Sequence, residues 1–404
     1  MATPSASVAR PSASPASTDP GAASPTAAAD VWQYLADFPA GDAIDVAAVA
    51  HTGANFVAVG SEPAEPESFF GPRQGVVWTS DDGRVWQRNA DEVFANATLL
   101  HVVVAGDTTY VFGLLSACAM GDEDCQDVPE AGMTVWRSTD GGWERLPQSR
   151  QLREAFLAGV LALGETVVAF GDREDVSGSG AGELAATVWL SDDGAGFEEV
   201  TELVGMDPIS AATAGPDGIV AFGTRLLPGT EQIETVAAYS DDGRSFELAG
   251  LPAGLDVVIE SVVFGPSGFV AVGAPEDAET SGHLPTVLTS DDGRSWREVS
   301  LGGSFSRTTL HQAHALPDGY LLIGSEPSEA DPQRDVALSW VSADGETWEP
   351  RAALAGGHYR MFNGSAVGPA GIVAFALDYE DETVEGPLST IRGWFAPLDA
   401  VTLP

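Results

Sequence analysis

The chain has 404 residues, with 60 Asp and Glu against 18 Lys and Arg and a formal net charge of −42; all of its cations are Arg. This balance excludes a binder of nucleic acid or of an anionic membrane surface, because phosphates are met by a basic stripe. No run of 18 apolar residues occurs, which excludes a membrane-spanning helix, while 46 Gly and 26 Pro suit many short strands joined by tight turns.

Residues 1–30 are Ala, Ser, Pro and Thr with little else apolar. Such a segment buries too little surface to offset its ordering entropy, so it is expected to be a disordered spacer. It lacks the apolar core of a signal peptide. Its composition is that of a spacer behind a cleaved signal or a lipid-anchored cysteine, so an extracellular or cell-surface location is expected. Residues 31–404 read as one repetitive domain.

Two motifs alternate along that domain. The first is Ser-x-Asp-Gly followed closely by Trp or Phe. Its six copies start at Ser80 (Asp82, Gly83, Trp86), Ser138 (Asp140, Gly141, Trp143), Ser191 (Asp193, Gly194, Phe197), Ser240 (Asp242, Gly243, Phe246), Ser290 (Asp292, Gly293, Trp296) and Ser342 (Asp344, Gly345, Trp348). The serines are 58, 53, 49, 50 and 52 residues apart, and the second copy is one residue short. The second motif is a strand, a Gly- or Pro-containing turn and another strand closing on Gly, as in FVAVG, VVAFG and YLLIG; it has seven copies, the last ending in Ala as IVAFA.

Each unit of about 52 residues therefore reads as four strands, A to D, in two hairpins. Asp-Gly is expected to supply the positive φ values of a two-residue C–D turn, with the Ser and Asp side chains bonding turn amides. Four strands repeated seven times at this period predict an all-β fold, a seven-bladed β-propeller of four-stranded blades. The seventh unit has A, B and C strands but no Asp-Gly motif. Val31-Trp32-Gln33-Tyr34 repeats the pattern of Val85-Trp86-Gln87-Arg88, so the N-terminal segment is expected to close the ring as the missing D strand and remove an exposed edge. All ten tryptophans occupy C or D positions of the repeat and are expected to pack between blades.

These copies resemble the Asp-box, or BNR, repeats of sialidases and many other secreted propellers. Thr79–Trp86 and Thr289–Trp296 match the stricter box Ser/Thr-x-Asp-x-Gly-x-x-Trp in full. The resemblance spans about 31–404 and implies the fold far more than a function. In the enzymes the box lies away from the catalytic face, where three arginines hold the substrate carboxylate. The early Arg-Ile-Pro signature should fall near the first A strand, yet Gly41–His51 contains no Arg.

The expected site is therefore on the other face, which carries the long B–C loops and the D–A links. Arg153, Arg307 and Arg360 each precede an A strand, Tyr359 adjoins Arg360, and Asp207 and Asp256 take comparable places in the fourth and fifth units. These six are the candidate ligand-binding residues, and no catalytic residue is assigned. The B–C loops are acidic (Glu62, Glu65, Glu67; Asp122, Glu123, Asp124; Asp378, Glu380, Asp381, Glu382). Calcium is the one cofactor they suggest, although no spacing matches a calcium loop, and a solvated face is the alternative. His311 and His314, three apart on an A strand, should point to opposite sides, and no metal site is assigned. Cys118 and Cys125, with six residues between them, suit a local disulfide in an oxidising compartment, or else two unpaired thiols. The leading expectation is an exported, monomeric, non-catalytic binding module for a glycan, peptide or protein. A sialidase-like glycoside hydrolase and an assembly or stability factor are the alternatives.

Overall fold

The computed structural model describes residues 31–401 apart from 42, 44, 65–71, 116–130, 175–183, 204, 207, 228, 231, 276–283, 303–304, 306, 329–334, 352–353, 355–357, 360 and 380–388. The spacer 1–30, Cys118 and Cys125, Asp207, Arg360 and most of the acidic B–C loops thus lie outside the described residues.

Seven antiparallel sheets, each of the order A-B-C-D, form a seven-bladed β-propeller. Each blade reads as in blade 1, where A is Ala48–His51, B is Phe56–Pro63, C is Arg73–Ser80 and D is Gln87–Asn89. The other A strands are Ala97–Ala105, Ala155–Leu163, Ile209–Gly215, Val257–Gly265, Thr309–Leu316 and Met361–Gly368. Apolar side chains of adjacent blades meet in shared clusters, as a sheet buried on both faces requires. Trp32, Trp78, Trp136, Trp189, Trp340 and Trp394 are at most 2% exposed. Five of these lie on C strands, opposite equivalent B-strand residues: Ala58, Val111, Ala169, Leu322 and Ala374.

The ring closes as the sequence suggests. Gln33 and Tyr34 pair with Phe395 and Trp394 of the last C strand. Gln87 and Arg88 pair with Thr79 and Trp78 of blade 1 in the same register. Trp32 is completely buried, among side chains of blades 6 and 7.

The Asp-Gly turns differ from expectation. In five blades only the glycine is left-handed, with φ between 71° and 77°, so these are not two-residue turns with two positive φ values. Instead the aspartate Oδ1 accepts two N–H groups further along the turn. Asp292 accepts from Arg294 and Ser295 at 2.9 and 3.0 Å, and Asp82, Asp193, Asp242 and Asp344 do the same. Ser80, Ser191, Ser290 and Ser342 accept the glycine N–H. Each such glycine faces the preceding blade. A Cβ on Gly293 would lie 2.6 Å from Val220 Cγ2, and one on Gly194 would lie 2.3 Å from Tyr110 Cε1. Blade 2, one residue short, alone makes the tight hairpin, with Thr139 opposite Gly142. Its Gly141 has open space around it.

A second regularity has no mark in the pattern of hydrophobic residues. The A strands of blades 2 to 7 each carry a β-bulge, at Leu100, Ala158, Ser210, Glu260, His311 and Asn363. Ala47 is the equivalent in blade 1, since its N–H bonds Val59 O at 2.7 Å. The bulge pushes the A backbone against the end of the B strand, which explains the glycine there. A Cβ on Gly60, Gly171, Gly223 or Gly273 would lie 2.1 to 2.2 Å from a carbonyl oxygen in the A strand or in the residues just before it. Gly60, Gly223 and Gly273 are kept for close approach rather than for a left-handed φ.

Candidate functional site

The D–A links and B–C connections share one end of the ring. Arg153 precedes the A strand of blade 3 and is partly buried. Its Nε donates to Ala131 O at 3.0 Å and its carbonyl accepts from Met133 N–H, so it brackets the start of the C strand of blade 2. Asp256 is exposed just before the A strand of blade 5. Arg307 is exposed before that of blade 6, with φ of 70°. Among the described residues, no hydrogen bond or ion pair joins Arg153, Asp256 and Arg307. Tyr359 sits elsewhere than its position before an A strand suggests. With His358 it pairs with the C strand of blade 6, Tyr359 opposite Asp335, on the outer edge of that blade rather than beside the channel.

Two of the carboxylates counted with the acidic loops belong to strands and are paired. Glu62 meets Arg88, and Asp378, only 2% exposed, accepts from Arg392 at 3.0 Å. Neither is available as a free loop ligand. Among the described residues no group of three or more His, Cys, Asp or Glu could hold a metal ion.

The histidines overturn the parity argument. The bulge at His311 inserts one residue, which shifts the alternation of side chains. His311 therefore stacks on Phe362 of blade 7, with ring centroids 5.5 Å apart, and His314 Nε2 bonds Ser365 Oγ of the same blade at 2.5 Å. Both point toward blade 7 rather than to opposite sides. Desolvation pushes both rings down to about 4, so they are neutral at physiological pH. His51 and His101 on other A strands are also lowered by burial.

The bulge residues form a ring at one level of the channel. They are exposed or half-buried, whereas Val46, Leu99, Ile209, Ile259 and Leu310, one residue earlier, are buried. One arc of this ring is apolar (Ala47, Leu100, Ala158) and the other polar (Ser210, Glu260, His311, Asn363). Sequence reasoning missed it, because the residue types share nothing. The B-strand glycines were the available signal.

No protein-family model matches the sequence, and no curated protein matches it. Solved structures do. "YCF48 bound to D1 peptide" is 13% identical over 93% of this chain and 98% of its own, with a TM-score of 0.53. The Trypanosoma rangeli sialidase in complex with sialic acid is 12% identical with a TM-score of 0.43; the match takes in 88% of this chain and 54% of the sialidase. The fucose-specific lectin from Aleuria aurantia is 10% identical over 76% of this chain and 93% of its own, with a TM-score of 0.40. The likeness to YCF48 supports the propeller fold.

Proposed function

We propose that this is a non-catalytic binding or scaffold propeller of the Asp-box, or BNR, type, exported to the cell exterior, that recognises a peptide, protein or glycan with its long-loop face. The observation that carries this reading is the difference between the two ends of the ring. At one end, five turns are locked by aspartate and glycine into the neighbouring blade. At the other, exposed Asp256 and Arg307 stand on the links between rigid strands, where binding groups on scaffolds usually sit. The end-to-end likeness to YCF48 bound to D1 peptide fits a polypeptide partner best. The arginines bear against sialidase chemistry. No A strand carries one, and Arg153 is committed to a backbone carbonyl. A monomer without a resident cofactor and a Cys118–Cys125 disulfide complete the proposal; calcium on the acidic loops is the alternative to a solvated face.

The test has two arms, run on residues 31–404 with calcium present. One follows hydrolysis of 4-methylumbelliferyl sialoside; the other screens a glycan and peptide array. Binding without turnover, lost in Arg307→Gly, is the expected result. That substitution suits a φ of 70° and so removes the side chain without straining the backbone. Turnover of the sialoside would replace the reading with a hydrolase.

A further inference from the structure

The C strand of blade 4, Ile233–Ser240, is bridged on its outer edge by the chain that follows it. Ala237 O accepts from Ala249 N–H at 2.8 Å, and Thr235 N–H donates to Leu255 O at 3.0 Å. Between these two bonds the link leaves the strand, and Gly250 N–H turns to Arg294 O of blade 5 at 2.7 Å. A cavity of about 170 Å³ results. Thr235, Ala237, Leu248, Leu251, Pro252 and Leu255 are among the residues that line it.

In a strand the N–H and C=O of one residue point to the same edge. Ala237 N–H and Thr235 C=O therefore face the side on which this cavity lies. Among the described residues neither group has a hydrogen bond, although Ala237 and Thr235 are only 1% and 5% exposed. A buried backbone donor and acceptor left unpaired are uncommon and costly. Four other blades satisfy the same carbonyl, five residues before the serine of the Asp-Gly motif. Gly75 O accepts from Gln74 Nε2 at 3.0 Å in blade 1, and Met133 O accepts from Gln148 Nε2 at 3.3 Å in blade 2. In blades 3 and 6 the link amides of Leu203 and Leu354 do so, at 2.9 and 3.0 Å. Gln148 lies two residues after Leu146, whose N–H bonds Val135 O as Ala249 bonds Ala237 O. Leu251 lies two residues after Ala249. Blade 4 thus has leucine where blade 2 supplies a carboxamide.

We propose that this cavity binds a primary carboxamide, the group of a glutamine or asparagine side chain on a polypeptide partner. Its N–H donates to Thr235 O, its oxygen accepts from Ala237 N–H, and its stem packs on Leu248, Leu251 and Leu255. One acceptor and one donor on the wall select this class. A carboxylate offers no proton to Thr235 O, and an ammonium offers no lone pair to Ala237 N–H. Nearby side chains do not compete, since Arg225 pairs with Glu234 at 2.7 Å and Thr235 Oγ1 donates to Val257 O at 2.6 Å. Exposed Asp256 follows Leu255 directly, so the inference deepens the polypeptide reading above and rests on it for the source of the amide.

The probe is butyramide, with 2-pentanone as the isostere that lacks N–H. Each is titrated into the full chain at pH 7.5 and followed by broadening of its methyl resonance. Binding at least tenfold tighter for the amide is expected. Leu251→Gln supplies the carboxamide from within, as blade 2 does, and should abolish that preference. Leu251→Met leaves the wall apolar and should keep it. No binding of butyramide, equal binding of the ketone, a preference that survives Leu251→Gln or one that is lost in Leu251→Met overturns the proposal. N-acetylglutamine N-methylamide binding more tightly than butyramide supports a polypeptide source, and weaker binding overturns that source. Peptide-array binding that is equal in the parent chain and in Leu251→Gln, with butyramide unbound, removes this site and leaves the wider reading intact. Butyramide binding beside an empty array does the reverse.

Discussion

Blades 2 and 5 write nearly the same letters, STDGGW and SDDGRSW, and fold them into different turns. In blade 5 the loop is long enough for Asp292 to gather two amides and for Gly293 to press into blade 4. In blade 2 the missing residue brings Thr139 opposite Gly142, and Gly141 touches nothing within 4 Å. The motif is therefore an inter-blade device only at full length; one deletion reduces it to a local hairpin. Blade 7 goes further, since it has no such turn and receives its outer strand from the other end of the chain.

The largest test concerns that third solution. Trp32→Ala empties a fully buried site between blades 6 and 7 and should cost about 4 kcal/mol, as large aromatic truncations do. Denaturant unfolding would measure it, and a loss below about 1 kcal/mol would mean that the closing strand is dispensable. Next comes the pair Gly293→Ala and Gly141→Ala. The first incurs a left-handed alanine and a contact of 2.6 Å, together worth about 3 kcal/mol; the second should be nearly neutral. Equal effects would break the comparison between the two blades.

The smallest is the acid limb of stability. The amides beside Asp82, Asp193, Asp292 and Asp344 hold these carboxyls below the usual range, most strongly through Val85, Gly196, Arg294 and Thr347 respectively. A lowered folded pKa means stability present above the unfolded value near 4 and lost as pH falls through the folded one. Asp292→Asn should lower the melting temperature at pH 7 and leave less to lose in acid. Asp140→Asn should change neither, and a matching effect there would deny the difference between the turns.

The period of the repeat carried most of the fold, because strands, turns and closing segment each leave residues at fixed intervals. Val31-Trp32-Gln33-Tyr34 was readable for that reason. The bulges were not, since Ala, Leu, Ser, Glu, His and Asn all occupy that place. In six blades the glycine opposite records them, as a missing side chain, while blade 7 has Ala376 there. The error over His311 and His314 follows directly, for alternation cannot be counted across an unseen insertion. The candidate site was less legible still. Arg153 and Tyr359 sit at the right place in the chain, but a backbone carbonyl holds one and an outer edge the other.

The four histidines lowered by burial act together with the absence of lysine. Burial favours the neutral form of these four rings, and no lysine adds a charge beside the arginines. Electrophoretic mobility should therefore stay strongly anodic at neutral pH and collapse toward the isoelectric point near 4.1.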